Sequence, residues 1–231
     1  MSLVTVEHVM KRYDRGPVLK DLSLSMESGR IVGVLGPNGC GKTTLFKILA
    51  GLITDYTGTV RIDGQTPGEY TKSIVSYLPE KTYLSDWMKA KEAIAMFADF
   101  YADFDAKKAE ELLVRFHLDR NMRLKSMSKG MQEKLQLILV MSRAAKLYIL
   151  DEPLSGVDPA ARDSILDIIL KNYSEDSTVL MSTHLVYDVE RIFDDVILLS
   201  NGELLVADSA DHLRDTSGLS LDAYFRGAFR C

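Results

Sequence analysis

The sequence predicts an α/β core interrupted by an all-helical insertion, and three features of its 231 residues carry that prediction. Short, almost wholly apolar runs alternate with helical patterns, as expected of a sheet buried on both faces by helices. A glycine-rich turn joins one such run, residues 31–35, to a helical pattern at 45–49. Between about 87 and 145 the hydrophobic period becomes that of helices, with few Gly or Pro breaks.

Residues 3–9 alternate apolar and polar side chains, the period of a half-buried strand. A turn at Asp14-Arg15-Gly16-Pro17 leads to a second alternating run, 18–26, and Ser28-Gly29 separates it from 31–35. Residues 58–62 and 74–78 read as further short strands. Helices are expected at 90–101, 106–117 and 128–145. Strands return at 147–150, 178–182 and 196–199, with helical patterns at 159–173 and 186–192 between them. Asn201-Gly202 makes a hairpin between 196–199 and 203–207. Leu221, Tyr224, Phe225 and Phe229 stand at helical spacing, so 219–231 reads as a small docking helix. The division expected is a core of 1–84 with 147–231, and a helical insertion of 85–146.

The run 31–35 and the turn Gly36-Pro37-Asn38-Gly39-Cys40-Gly41-Lys42-Thr43-Thr44 fit G-x-x-x-x-G-K-[ST] in its strand–turn–helix setting. Small glycines let consecutive backbone N–H groups point inward around a polyphosphate, and the helix start adds a favourable dipole. Lys42 supplies a point charge for the outer phosphates, and the Thr43 hydroxyl a ligand for Mg²⁺. The turn therefore predicts a nucleoside triphosphate ligand. Further on, the apolar run 147–150 ends in Asp151, Glu152 and Pro153. Alone, that pattern reads equally as a loop with two solvated acids. Paired with the phosphate loop, Asp151 becomes a ligand for the Mg²⁺ shell, and Glu152 a general base that polarises water at the γ-phosphate.

Bulk properties narrow the class. Hydrophobic content of 46% and charged content of 26% are ordinary for a globular chain. A net charge of −5 and a pI near 5.4 give no basic field, so no nucleic-acid partner is expected. Two cysteines, Cys40 and Cys231, make no disulfide framework and point to a reducing compartment. The richest apolar stretch, 135–150, is interrupted by Ser142, Arg143 and Lys146, so no membrane span is expected. Met1-Ser2-Leu3-Val4 lacks the basic start and long apolar stretch of a signal peptide. A cytoplasmic protein is the expectation.

Many phosphate-loop families share the features so far. Met127-Ser128-Lys129-Gly130-Met131-Gln132, just before a helical pattern and shortly ahead of the acidic strand, singles out one. The order and spacing of motifs resemble those of an ATP-binding subunit of an ABC transporter, over nearly the whole chain. The segment resembles the ABC signature in a variant form, with Lys129 and Met131, similar to many subunits of the ABC-2 exporter group. The resemblance implies a P-loop NTPase fold of the ABC ATPase type: a RecA-like core with a parallel sheet, an N-terminal antiparallel β part and an inserted helical subdomain. It implies ATP and Mg²⁺ as cofactors, with Lys42, Glu152 and His184 as the catalytic set. His184 matches the switch histidine that donates to the γ-phosphate. Tyr13 matches the aromatic that stacks on adenine, and Asp158, in Ser155-Gly156-Val157-Asp158, the D-loop residue at a dimer seam. Pro159 just beyond would open the next helix. Ser128 and Gly130 would receive phosphate from an ATP held by a partner subunit, while Ser128 also caps its own helix. The partners implied are a polytopic membrane permease and a second ATPase subunit, either another copy of this chain or a paralogue. That places the chain on the cytoplasmic face of a membrane.

The sequence departs from the family pattern at Glu80, in Leu78-Pro79-Glu80, where the Q-loop glutamine is usual. A carboxylate ligates Mg²⁺ as an amide oxygen does, but it cannot donate a hydrogen bond and it adds charge beside Asp151 and Glu152. Cys40 replaces the small residue common in the loop. Two readings stand for Tyr83, Leu84, Trp87 and Met88: an apolar groove for a helix of a membrane subunit, or packing at the hinge of the insertion. Two other classes compete with a transport ATPase. A non-transport ABC-type ATPase acting on ribosomes or DNA usually carries paired modules, long coiled-coil insertions or metal-binding cysteines, none of which the sequence has. A phosphate-loop kinase leaves Ser128, Asp158 and His184 unexplained. Glu80→Gln is expected to keep ATP binding and change metal dependence; Mg²⁺ titrations of ATPase rate for both forms check this, and superimposable curves refute it.

Overall fold

The computed structural model describes residues 2–229, with the backbone alone at 160 and 161. The first alternating runs become β1 (Ser2–Tyr13) and β2 (Gly16–Glu27), paired antiparallel, with β4 (Thr57–Ile62) on the far side of β1. Both strands exceed the expected 3–9 and 18–26. The reason is the register: Tyr13 pairs with Gly16, so only Asp14 and Arg15 turn the chain.

The second sheet has six strands in the order β5-β6-β7-β3-β8-β9. These are β3 (Ile31–Leu35), β5 (Val75–Leu78), β6 (Leu147–Asp151), β7 (Thr178–Thr183), β8 (Asp195–Ser200) and β9 (Glu203–Ser209). All pairs are parallel except β8 with β9, the hairpin expected at Asn201-Gly202. Every residue of β3, β6 and β7 is buried. Successive side chains of a strand face opposite ways, so each strand feeds two cores. Leu147 and Ile149 join a core with β1, β2, β4 and the helix after the glycine turn. Tyr148 and Leu150 join the other, which contains the inserted helices.

That helix, α1 (Lys42–Leu49), starts three residues before the apolar pattern does, because Lys42, Thr43 and Thr44 form its first turn. A short helix the periodicity did not mark, α2 (Glu69–Ile74), precedes β5. The insertion holds α3 (Ala90–Phe100), α4 (Ala106–Arg115) and α5 (Lys129–Met141). Helix α5 ends well short of the expected 145, because residues 142–144 pair instead with the segment between α3 and α4. There Asp105 N donates to Ser142 O at 2.8 Å, and Ala144 N to Asp103 O at 3.0 Å. Arg143, buried at the same place, ties the insertion to β5. It donates to Asp103 from Nε, to Val75 O (2.6 Å) and Ser73 O (2.8 Å) from its terminal nitrogens, and lies over the Tyr101 ring.

Helix α6 (Pro159–Asn172) opens with Pro159 at its first position, as expected. Beyond β7 the expected helix at 186–192 divides into α7 (Val186–Val189) and a 3₁₀ turn, Glu190–Ile192. A polar helix the apolar pattern did not mark, α8 (Ala210–Ser217), is capped by Ser209 and closes on Gly218. The expected helix at 219–231 is α9 (Leu221–Ala228); Arg230 and Cys231 lie outside the described residues. Among the described residues no helix is long and apolar enough to cross a membrane.

The β8–β9 hairpin supports the glycine turn from below. Gly202 N donates to Cys40 O at 3.0 Å, and Gly202 O accepts from Lys20 N at 2.8 Å, so one residue joins turn, hairpin and β2. Gly202 has φ +83°, and a Cβ there would overlap the Val18 carbonyl oxygen. Gly202→Ala is expected to destabilise the protein by about 2 kcal/mol or more, a fall in Tm of roughly 4–8 °C by calorimetry. An unchanged melting curve would contradict this role.

Candidate active site

The groups expected to do chemistry meet at the carboxyl ends of the parallel strands, where open α/β sheets bind ligands. The glycine turn leaves the end of β3, Asp151 closes β6, and His184 follows β7, so the β6-β7-β3 order sets them side by side. A cleft of about 490 Å³ is lined by Asn38, Gly39, Gly41, Lys42, Thr43, Thr44, Glu80, Glu152 and His184, together with Val18 and Ser155.

The turn is shaped by its glycines. Gly39 and Gly41 have φ of +81° and +111°, left-handed values that a side chain strains. A Cβ on Gly36 would overlap the Leu199 carbonyl oxygen, so only glycine lets the loop lie on β8. Gly41 stands at the N-terminus of α1 without a side-chain cap, which leaves the first N–H groups free for an anion. Lys42 is buried, and its Nζ donates to Gly36 O (2.8 Å) and Pro37 O (3.3 Å) within the turn. The Cys40 side chain packs in the core with Val34 and Leu45, so its backbone alone can serve a ligand. Burial also pushes its thiol above the usual range.

The carboxylate pair is organised by Ser182, which the sequence reasoning did not mark. Asp151 and Ser182 are register partners on β6 and β7. The Ser182 hydroxyl donates to Asp151 Oδ1 at 2.7 Å and accepts from Glu152 N at 2.9 Å. Its signal in the sequence was slight: a hydroxyl following the apolar run Val179-Leu180-Met181, in a strand that also carries Thr178 and Thr183. Glu152 itself has φ +52°, an uncommon conformation for a residue with a side chain, costing on the order of 1 kcal/mol. The Ser182 bond and the Ser155 N to Glu152 O bond (3.0 Å) hold it there. Glu152 Oε2 lies 2.8 Å from His184 Nδ1. An ionised carboxylate only accepts, so the Nδ1 proton donates to it and Nε2 stays free for a second partner.

Asp151 is 1% exposed; no group reaches hydrogen-bonding geometry at its Oδ2, though the Thr43 hydroxyl stands near enough to favour the ionised carboxylate. Burial raises its carboxyl above the ordinary range; the Ser182 and Thr43 hydroxyls oppose this, and the Glu80 charge adds to it. Glu80 is exposed at the cleft wall. Among the described residues no three His, Cys, Asp or Glu side chains gather as a metal cluster.

The remaining expected residues lie outside the cleft. Tyr13 lines an adjoining hollow that shares Val18 with it. Ser128 caps α5, its Oγ accepting from Met131 N at 3.3 Å, and Gly130 has open space beside it. Asp158 is exposed at the start of α6. The start of α5 does reach one neighbour: Gly156, with φ +76°, makes room for the Lys129 side chain. The four apolar residues at the entrance to the insertion divide between the two readings. Leu84 and Met88 are buried, whereas Tyr83 and Trp87 are 45% and 68% exposed.

A cleft that offers unpaired backbone N–H groups at a helix start and sets a carboxylate beside them is the equipment of a nucleoside triphosphatase. Comparison with known proteins says which kind. The family model described as ABC transporter matches residues 19–155. The chain is 32% identical over 228 residues to the ABC-type transporter ATP-binding protein EcsA of Bacillus subtilis, covering 95% of this chain and 92% of that one. It is 29% identical over 228 residues to NatA, an ABC transporter ATP-binding protein of the same organism, covering 93% and 92%. A solved ATP-binding subunit of an ABC transporter superposes with a TM-score of 0.87 at 28% identity, over 99% of this chain and all of that one. The chain belongs to the ABC transporter family as an ATP-binding subunit, and it is an ATPase.

The raised Asp151 carboxyl carries a stability consequence. A group whose pKa is higher folded than unfolded destabilises the fold at pH above both values, and the penalty disappears below the unfolded one. Asp151→Asn is expected to abolish ATP hydrolysis while raising the Tm of the ligand-free protein at neutral pH. The gain should vanish as pH falls below the normal aspartate range. A pH-resolved set of thermal melts checks both sign and window.

Proposed function

We propose that this subunit couples ATP-driven pairing with a second ATPase subunit to transport through a separate polytopic membrane permease, as part of an exporter. The observation that carries the reading is the split in phosphate-binding groups. The cleft presents the turn and Glu152 from one side, while the start of α5, with Ser128 exposed and Gly130 half-buried beside open space, lies outside that cleft. Two chains meeting head to tail bring each cleft to the other's Ser128–Gly130, with Asp158 at the seam. The second subunit is another copy or a paralogue. ATP then acts as an electrostatic link between the two, and hydrolysis releases it.

Roles within each cleft follow from the chemistry of the side chains. Gly36, Pro37, Asn38, Gly39, Cys40, Gly41 and Thr44 hold phosphate through the turn backbone and the α1 start, and Lys42 neutralises the outer phosphates. Glu152 is the general base that takes the proton of the attacking water. His184 steadies Glu152 through Nδ1 and offers Nε2 to the γ-phosphate. Tyr13 stacks on the adenine ring. The residues present fit Mg²⁺: the orphaned Asp151 Oδ2, the Thr43 hydroxyl and Glu80 are hard oxygen donors, and few are needed because phosphates complete the shell. Bound there, Mg²⁺ neutralises charge that develops on the phosphate oxygens.

Residues 1–84 with 147–231 form the nucleotide-binding core in this reading, and 85–146 the lever. The permease contacts the seam between them, at the peripheral cytoplasmic face of the membrane. A mainly apolar hollow of about 520 Å³ supports that docking position, with Leu52, Pro79, Tyr83, Phe97 and Tyr101 in its wall and Trp87 exposed on the same linker. Glu152→Gln with ATP and Mg²⁺ is expected to accumulate a stable dimer by light scattering. Copurification from membranes identifies the permease. A protein that stays single at saturating nucleotide refutes the paired mechanism.

A further inference from the structure

Lys11 lies on β1, two residues before Tyr13, and its side chain is only 3% exposed. Lysine is almost never fully buried unless paired, so the site must offer it something. It offers three contacts. Nζ donates to Asp55 O at 2.8 Å and to Asp55 Oδ2 at 2.5 Å, and it stands 4.7 Å from the centroid of the Tyr13 ring. Asp55 precedes β4, and its hydrogen bond from Lys11 holds its carboxyl below the usual carboxylate range. The carboxylate fixes the ammonium, and the ammonium sits over the ring, where the negative π face attracts a cation. Tyr13 nevertheless keeps 44% of its surface open, toward a hollow that adjoins the phosphate cleft.

We propose that Lys11 is a positioning residue for nucleotide binding: anchored by Asp55, it holds the Tyr13 ring as a platform for the base while touching no nucleotide atom itself. An exposed tyrosine at a two-residue turn is free to rotate, and ordering it on binding costs affinity. A ring already held presents its face at no such cost. The inference rests on Tyr13 as the base-stacking residue and adds what fixes that ring. Its signature is selective, because a ligand without a base gains nothing from the platform.

The test compares Mg·ATP with inorganic tripolyphosphate on the full chain, by calorimetric titration of the wild type, Tyr13→Ala, Lys11→Met, Lys11→Arg and the double variant Lys11→Met/Tyr13→Ala. Lys11→Met is expected to weaken ATP binding about five- to tenfold, within the range of a partly desolvated cation–π contact. Tripolyphosphate affinity should stay unchanged, and steady-state KM should rise while kcat holds. Lys11→Arg should restore ATP affinity to within about twofold, since guanidinium also binds a ring face. In the Tyr13→Ala background Lys11→Met should add nothing. Should Lys11→Met fold poorly by circular dichroism, Asp55→Asn, changed at an 84% exposed side chain, takes its place with a smaller loss confined to ATP. Unchanged ATP affinity in the Lys11 and Asp55 variants beside a weakened Tyr13→Ala overturns the inference alone. An equal loss for tripolyphosphate also overturns it, by showing general damage. A Tyr13→Ala protein that binds ATP normally removes the stacking role itself, and the inference with it.

Discussion

The Ser182 hydroxyl is the contact on which the catalytic edge depends. It gives its proton to Asp151 Oδ1 and takes the Glu152 N–H, so one small side chain satisfies one oxygen of a buried carboxylate and holds the next residue in a left-handed conformation. Remove it, and Asp151 loses its one close hydrogen bond while Glu152 loses one of the two bonds that hold its backbone. A buried acceptor left unsatisfied costs about 1–3 kcal/mol, comparable with the whole strain at Glu152. The site therefore keeps its geometry through hydrogen bonds drawn from a neighbouring strand rather than through its own loop.

The same logic runs beneath the phosphate turn. Main-chain bonds from Gly202 to Cys40 and from Lys20 to Gly202 make the hairpin, the turn and β2 one assembly. Gly36 lies so close to Leu199 that no side chain fits. A cradle that must expose unpaired N–H groups to an anion cannot use those groups for its own support, and here β8 and β9 provide it. Asp151 shows the other side of this economy: a buried oxygen without a close partner is unfavourable in the free protein, and in the reading proposed above it is a cation that would satisfy it. Stability given up at such a point is the usual trade at a functional site.

Much of this was legible in the chain. The strand–turn–helix context identified the phosphate turn because φ-positive glycines and a helix start are local requirements. Lys42, Thr43, Asp151 and Glu152 followed from the chemistry of a phosphate turn and an acidic strand end, and His184 from the family resemblance; they meet at one edge because residues that follow parallel strands share it. Helices α2 and α8 were not legible: both are short and polar, and their caps at Gly68 and Ser209 carry more of the signal than any apolar period. Tyr83, Leu84, Trp87 and Met88 could not be sorted, because composition does not say which apolar side chains find a core.

Taken alone, the sequence determined the fold class, the phosphate turn, the acidic strand end and the family, since each is written in local spacing or in the order of motifs along the chain. Tertiary structure decided what depends on residues far apart in the chain meeting. Arg143 reads as a break in an apolar run, yet it is the buried tie between the insertion and β5. Ser182 reads as the end of a strand, yet register with Asp151 makes it the support of the carboxylates. Lys11 reads as a charge on a half-buried strand, yet Asp55 and Tyr13 close around it. Buried polar groups take their meaning from the partner that satisfies them, and in each of these cases a long stretch of chain separates the group from a partner it needs.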